Sequence, residues 1–119
     1  MAQHHDLGIT GEQMAKAFLM QKGYRILEEN WAYGHLEIDL IAHMDTTLVF
    51  VEVKTRTSSG FGMPEEFVKR PKQLRMAKAA EAYIQRMDYQ GEIRFDIMAI
   101  LFTGTSPVIN HIEDAFWPQ

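Results

Sequence analysis

Glu37, Asp39, Glu52 and Lys54 place three carboxylates and an ammonium within a short span of the chain. They lie in two segments, Glu37-Ile38-Asp39-Leu40-Ile41-Ala42 and Leu48-Val49-Phe50-Val51-Glu52-Val53-Lys54, that alternate charged and apolar residues with the period of a β-strand. Met44-Asp45-Thr46-Thr47 between them carries turn chemistry. An antiparallel hairpin centred on Asp45-Thr46 sets Asp39 opposite Glu52 and Glu37 opposite Lys54. The same register pairs Ile38 with Val53, Leu40 with Val51 and Ala42 with Val49 on the other, apolar face. Two carboxylates opposed across strands at roughly 5 Å repel by about 3 kcal/mol at an effective dielectric near 20. That is a large share of the ~5–15 kcal/mol by which a domain is stable. A bound divalent cation, a raised pKa on one acid, or an ion-pair net through Lys54 would each relieve it.

The chain contains no cysteine, so a metal would be held by oxygen or imidazole. Hard oxygen donors suit Mg²⁺ or Mn²⁺, which take one or two carboxylates and complete their shells with water and phosphate oxygens. Lys54 on the same face could orient or deprotonate a water, or neutralise charge on a pentacovalent phosphate. Together these describe metal-assisted phosphodiester hydrolysis.

The net charge is −4, which argues against a nonspecific nucleic-acid coat protein, but the distribution is uneven. Acids dominate from Glu28 to Glu52, whereas Lys69, Arg70, Lys72, Arg75 and Lys78 form a basic run. That run, with Arg56, is a candidate phosphate-contacting edge; its bland alternative is a solvated helix face. His4 and His5 are expected to be exposed on a frayed end, and His35 and His111 to be structural or exposed.

The elements that must position these groups follow from pattern. A length of 119 residues fits one domain spanning 1–119, with 1–7 poorly ordered. Thr10 and Gln13 read as a capping box opening a helix at Gly11-Glu12, with Met14, Ala17, Phe18 and Gln21 as its apolar face and Gly23 as its stop. Arg25-Ile26-Leu27 reads as a short edge strand ending in a turn at Glu28-Glu29-Asn30, and Trp31 to Leu36 as a loop or the ragged start of the next strand, with Gly34 as its flexible point. Thr55 to Met63 reads as a mobile loop, and Pro64-Glu65-Glu66 as a helical first turn. Pro71 opens a second helix to about Met87 with a core stripe of Leu74, Ala77, Ala80, Ile84 and Met87. Strands follow at Arg94–Phe102 and Val108–Ile112, and the Phe116-Trp117 tail packs its aromatics on the core. The fold class is α/β (α+β): a central mixed sheet flanked by helices, in the order α-β-β-β-α-β-β. No apolar run is long enough for a membrane span and no signal-peptide core is seen, so a cytoplasmic protein is expected.

Asp39, a twelve-residue spacer and Glu52-Val53-Lys54 resemble the PD-(D/E)xK nuclease motif. A resemblance to the YraN-like uncharacterised family, distant relatives of archaeal Holliday-junction resolvases, runs nearly end to end. It is carried by Gly11-Glu12, Gly23-Tyr24, Ile26-Leu27-Glu28 with Asn30, and the two acidic segments through Thr55-Arg56. Phe61-Gly62, Lys72, Arg94-Phe95-Asp96 and His111-Ile112 continue it. The resemblance implies a restriction-endonuclease-like fold and a metal-dependent endodeoxyribonuclease acting on structured or branched DNA. Its alternative is a non-catalytic, nucleic-acid- or protein-binding member of that fold. It further implies Asp39, Glu52 and the Val53 carbonyl as ligands of Mg²⁺ (or Mn²⁺), with Glu37 a possible addition. Lys54 would be the catalytic lysine and Glu12 a helix-borne acid reaching the site. Of the basic edge, Arg56, Lys72 and Arg75 are expected to meet nucleic acid, Lys72 also by the resemblance, and a homodimer would suit cutting two strands. The family pattern has glycine where this chain has Leu36, and loop arginines where it has Ala32 and Gly34, which implies fewer phosphate contacts there.

Overall fold

The computed structural model describes residues 4–57, 68–103 and 106–118. Its elements are α1 (His4–Gln21), β1 (Arg25–Tyr33), β2 (Leu36–Met44), β3 (Thr47–Arg56), α2 (Arg70–Arg86), β4 (Glu92–Thr103) and β5 (Ser106–Ile112). The expected order is observed. Ser58-Ser59-Gly60, Phe61-Gly62, Pro64-Glu65-Glu66 and Gly104 lie outside the described residues. No helix of the described residues is long and apolar enough to cross a membrane.

The strands form one sheet in the order β1-β2-β3-β4-β5. The first three make an antiparallel meander, α2 carries the chain over to a parallel β3–β4 pair, and β5 returns antiparallel to β4. Both meander turns use left-handed residues, Gly34 at φ 62° and Asp45 at φ 55°, whose twist matches that of the flanking strands. The expected β2–β3 register is the observed one: Leu40 pairs with Val51, Ala42 with Val49 and Met44 with Thr47.

Each face of the sheet carries its own core. Against α1 lie Leu40, Ala42, Val49, Val51, Met98 and Ile100, packed on Ala15 and Leu19. Against α2 lie Ile38, Ile41, Leu48, Phe50, Phe95 and Ile97, packed on Met76, Ala79, Ala80 and Tyr83. A sheet covered on both faces needs apolar residues on both, which is why Ile41 and Phe50 interrupt the acidic alternation.

Four expectations are corrected. α1 begins at His4, so Thr10 lies inside the helix and caps nothing. The fully buried line of α1 is Gly11, Ala15 and Leu19; Met14 and Phe18 of the expected face pack beside it partly buried, whereas Ala17 and Gln21 are exposed. Its stop is as expected: Gly23 at φ 99° lets its own N–H reach the Met20 carbonyl and that of Tyr24 reach Leu19. The turn expected at Glu28-Glu29-Asn30 is absent, because β1 continues to Tyr33 through a register shift between Ile26 and Glu28. On α2, Ala80 is buried and Ile84 packs on the core as expected, but Leu74 and Met87 are exposed and Met76, Ala79 and Tyr83 supply the rest of the buried line.

Gly11 sets how closely α1 approaches β3. A Cβ there would sit 2.1 Å from Cγ2 of Thr55 and otherwise only in ordinary contact, 3.5 Å from Thr55 Cβ and 3.7 Å from Ile100 Cδ1. Gly11→Ala is therefore expected to destabilise by about 1–2 kcal/mol, overpacking outweighing the better helix propensity. In a Thr55→Ser background, which removes the clashing methyl, the same change should become stabilising. Equal effects of Gly11→Ala in the two backgrounds, read by thermal denaturation, would contradict this packing.

Candidate metal and nucleic-acid site

Asp39 occupies the point where two central strands part. The β2–β3 ladder ends at Leu40–Val51, beyond which β2 stays with β1 as far as Leu36 and β3 stays with β4 as far as Arg56. In the gap the Asp39 carboxylate accepts the Val53 N–H at 2.8 Å, doing the work of a missing ladder bond. This corrects the direct Asp39–Glu52 opposition expected from an unbroken hairpin, and with it the pairing of Glu37 with Lys54. It also corrects the face of Ile38. The alternation slips at the fork, so Ile38 joins the α2 cluster while Leu40 joins that of α1.

Glu52 is only 3 % exposed. Its Oε2 meets Nζ of Lys72 at 2.9 Å and Nζ of Lys54 at 3.4 Å. Lys72 comes from the first turn of α2, a segment with no acidic residue and with Lys69, Arg70 and Lys72 gathered at the positive end of the helix dipole. Glu52 is the anion that offsets that concentration of charge. The sequence marks Lys72 as a nucleic-acid contact; the structure sets it closer to Glu52 than Lys54 is.

From the other face α1 brings Glu12. With the helix starting at His4, Glu12 is in its third turn, and a role in complementing the dipole no longer applies. Its side chain bonds Asn30, and burial, with the nearby charges of Glu37, Glu52 and Glu29, raises its pKa above the ordinary carboxylate value. Asn30 is the residue that pattern reasoning missed. It adopts φ 50° within β1, a backbone state that asparagine tolerates better than most residues. The asparagine had pointed to a turn; it marks instead the place where the edge strand presents a partner to Glu12. Glu37 is exposed beside His35, Lys72 and Arg75. The Arg56 guanidinium donates to the Thr55 carbonyl at 2.8 Å.

The Asp39 carboxyl is pushed up to about 8, first by burial and then by the charges of Glu52 and Glu12, against the opposing Val53 N–H and Lys72. Two of the three reliefs considered for opposed acids, a raised pKa and an ion-pair net, are thus visible together. Among the described residues no three His, Asp or Glu side chains converge to hold a metal. The donor set is smaller: two carboxylates and a strand carbonyl, beside two ammonium groups. That set fits a hard cation that keeps several waters and borrows phosphate oxygens, as Mg²⁺ does, and it does not fit a closed, all-protein cage.

A second buried polar cluster is structural. Asp96 accepts from Arg94 Nε and Nη2 at 2.8 and 2.9 Å, from the His111 ring at 2.7 Å and from the Asp114 N–H at 3.0 Å. Lys22 Nζ lies 2.8 Å from His111 Nδ1. An ammonium can only donate, so Nδ1 accepts and the Nε2 proton points at Asp96. His111 is therefore structural, as expected.

A five-stranded mixed sheet flanked by two helices, in the order α-β-β-β-α-β-β, is the restriction-endonuclease-like fold that was expected. The chain belongs to the uncharacterised protein family UPF0102, the YraN-like family of the resemblance, whose model matches residues 11–100. It is 48% identical over 117 residues to a UPF0102 protein of Flavobacterium psychrophilum, covering 98% of each chain. It is 42% identical over 118 residues to one of Bacteroides thetaiotaomicron, covering 99% of this chain and 98% of the relative. A Cytophaga hutchinsonii relative is 50% identical over 98 residues, covering 82% of this chain and 87% of its own.

Proposed function

We propose that this protein is a divalent-cation-dependent nuclease that hydrolyses phosphodiester bonds in structured or branched DNA. The observation that carries this reading is the arrangement at the fork. Asp39 is held there by the Val53 N–H, and the almost fully buried Glu52 lies beside it between Lys54 and Lys72. Carboxylates and ammonium groups in this density are costly for a fold that gains nothing from them but stability. Asp39, Glu52 and the Val53 carbonyl would hold Mg²⁺ or Mn²⁺. When bound, that ion polarises the phosphate and lowers the pKa of the attacking water. Lys54, close enough to share Glu52, would orient the water and offset charge building on the phosphorus. Glu12, fixed by Asn30 at the rim, would steer the water shell from the α1 side. Lys72, Arg75 and Arg56 would meet the flanking phosphates.

The test is a calorimetric Mn²⁺ titration of the wild type and of Glu52→Gln, followed by cleavage of a labelled four-way junction and a linear duplex. The wild type is expected to bind the ion and to cut the junction in preference to the duplex. Glu52→Gln should lose ion affinity and slow cleavage by about 10²–10³-fold, the scale seen when one preorganised charge-stabilising group is removed. A wild type that binds no divalent ion would sink the reading. Ion binding without cleavage would leave a nucleic-acid-binding member of the fold that does not cut.

A further inference from the structure

Beside the Glu52–Lys72 pair a surface opens that runs past Lys72 and Arg75 to residues the proposed chemistry does not use. Lys72 and Arg75 of α2 face His35 and Glu37 across a cavity of about 190 Å³. Further along the same helix, Lys78, Glu81 and Arg86 face Tyr33, the last residue of β1, across a groove of about 580 Å³. Both hollows have α2 as one wall and the tip of the β1–β2 hairpin as the other. From Lys72 to Arg86 the helix advances about 21 Å at 1.5 Å per residue, so four cations are spread along the path with Glu37 and Glu81 as the opposing acids.

Aromatic rings are interleaved with these cations. Trp31 and Tyr33, two apart on one face of β1, have planes within 3° of parallel and centroids 6.4 Å apart. Trp31 is held by the edge of Tyr83 at 5.1 Å and by the Arg86 guanidinium at 5.5 Å from its ring. Tyr33, braced by that pair, remains 43% exposed. A tyrosine kept exposed on a fixed platform, in a cationic groove, is the combination that proteins use to hold unpaired nucleic acid.

We propose that this groove is a track for a single-stranded nucleic-acid segment continuous with the strand at the Asp39–Glu52 fork. Lys72, Arg75 and Lys78 contact successive phosphates, and Tyr33 stacks on an unpaired base. The choice of single strand over duplex rests on Tyr33. In a duplex each base is covered on both faces by its neighbours, so only the cations would be used, whereas an unpaired base offers the face that the ring can cover. The assignment takes its direction from the nuclease reading but not its existence. It gives that reading a substrate class, a junction or flap with an unpaired arm.

The experiment is fluorescence anisotropy of a labelled single-stranded 12-mer and of a blunt duplex in EDTA, so that nothing is cut, with wild type, Tyr33→Ala, Tyr33→Phe and Lys78→Ala. Tyr33→Ala should weaken single-strand binding about tenfold or more and leave duplex binding unchanged, and Tyr33→Phe should restore it. Lys78→Ala should reduce the slope of log affinity against log salt by about 0.7. Thermal denaturation of each variant in the same buffer guards against loss of fold. Unchanged single-strand affinity in a folded Tyr33→Ala, failure of Tyr33→Phe to restore binding, or equal loss on duplex would overturn the track. Single-strand binding with these signatures in a protein that never cuts would sink the nuclease reading and leave the track standing. Cutting that is indifferent to Tyr33, with no single-strand binding, would do the reverse.

Discussion

Asp39→Asn is expected to abolish the proposed ion-dependent cleavage while making the ion-free protein more stable at alkaline pH. Asp39 is raised from an ordinary carboxyl value to about 8 by burial and by Glu52 and Glu12. The folded state therefore keeps a proton that the unfolded chain gives up. The stability this contributes is fully present below about pH 4 and is lost as pH rises through about 8. At 1.36 kcal/mol per pKa unit the swing is several kcal/mol. Asparagine reproduces the protonated carboxyl, including an oxygen for the Val53 N–H. In EDTA the variant and wild type should melt alike near pH 4, and by about pH 8.5 the variant should melt on the order of 10 °C higher. On the proposed reading the same proton must leave when a cation binds. Ion affinity of the wild type should rise up to about tenfold per pH unit until about pH 8, then level off. Calorimetry in two buffers of different ionisation enthalpy should show about one proton released at pH 7. Affinity flat between pH 6 and 8, or no stability gain in Asp39→Asn, would show that Asp39 is ionised before the ion binds.

Asp96→Ala is expected to be the most destabilising change outside the two apolar cores. Asp96 has 0% exposure and takes four hydrogen bonds, from Arg94, His111 and the Asp114 backbone. Through these it ties β4 to β5 and to the C-terminal turn, and Arg94 carries the link on to the Tyr24 hydroxyl behind α1. Alanine leaves the guanidinium and the imidazole N–H without their acceptor, a loss of about 3–5 kcal/mol, or roughly 10–20 °C in Tm for a chain of this size. Asp96→Asn, which keeps an acceptor and loses the charge, should cost less. The His111, Arg94 and Asp114 bonds hold the Asp96 pKa below the ordinary value against the effect of burial. Its stabilisation is thus present above about pH 4 and fades as pH falls below, so the gap between wild type and Asp96→Ala should narrow in acid. A gap that stays constant from pH 7 to pH 3, measured by denaturant unfolding, would contradict an ionised Asp96 at the centre of the network.

The order of the elements and the β2–β3 register were legible in the sequence, and the way the helices face the sheet was legible only in part. The β2–β3 register could be read because side chains alternate with period two and the turn at Asp45-Thr46 fixes which residues meet. The faces of both helices were read only in part: Met14, Phe18, Ala80 and Ile84 pack on the core, and Ala17, Leu74 and Met87 are exposed. An amphipathic stripe says that a helix is covered but not how it is rotated against a sheet that is itself apolar on both faces. Leu74 and Met87 fit the expected stripe by spacing but are exposed, whereas Ala80 of that stripe is buried, with Ala79 beside it, where small side chains let α2 approach the sheet. The aromatic tail behaves as its composition suggests: Phe116 stacks on Phe95 at 5.4 Å and Trp117 meets the same ring edge-on at 5.9 Å.

By itself the sequence determined that Asp39, Glu52 and Lys54 share a hairpin, that oxygen donors would have to hold any metal, and that basic residues gather at the start of the second helix. These depend only on residue type, spacing and strand period. Only the tertiary structure decided that the strands part at Asp39, that Glu52 is gripped by Lys72 as well as Lys54, and that Asn30 bonds Glu12 from the edge strand. It alone set Tyr33 opposite Lys78 and Arg86. Each of these joins segments distant in the chain, whose relative placement is fixed by packing on the two faces of the sheet, which no local pattern encodes.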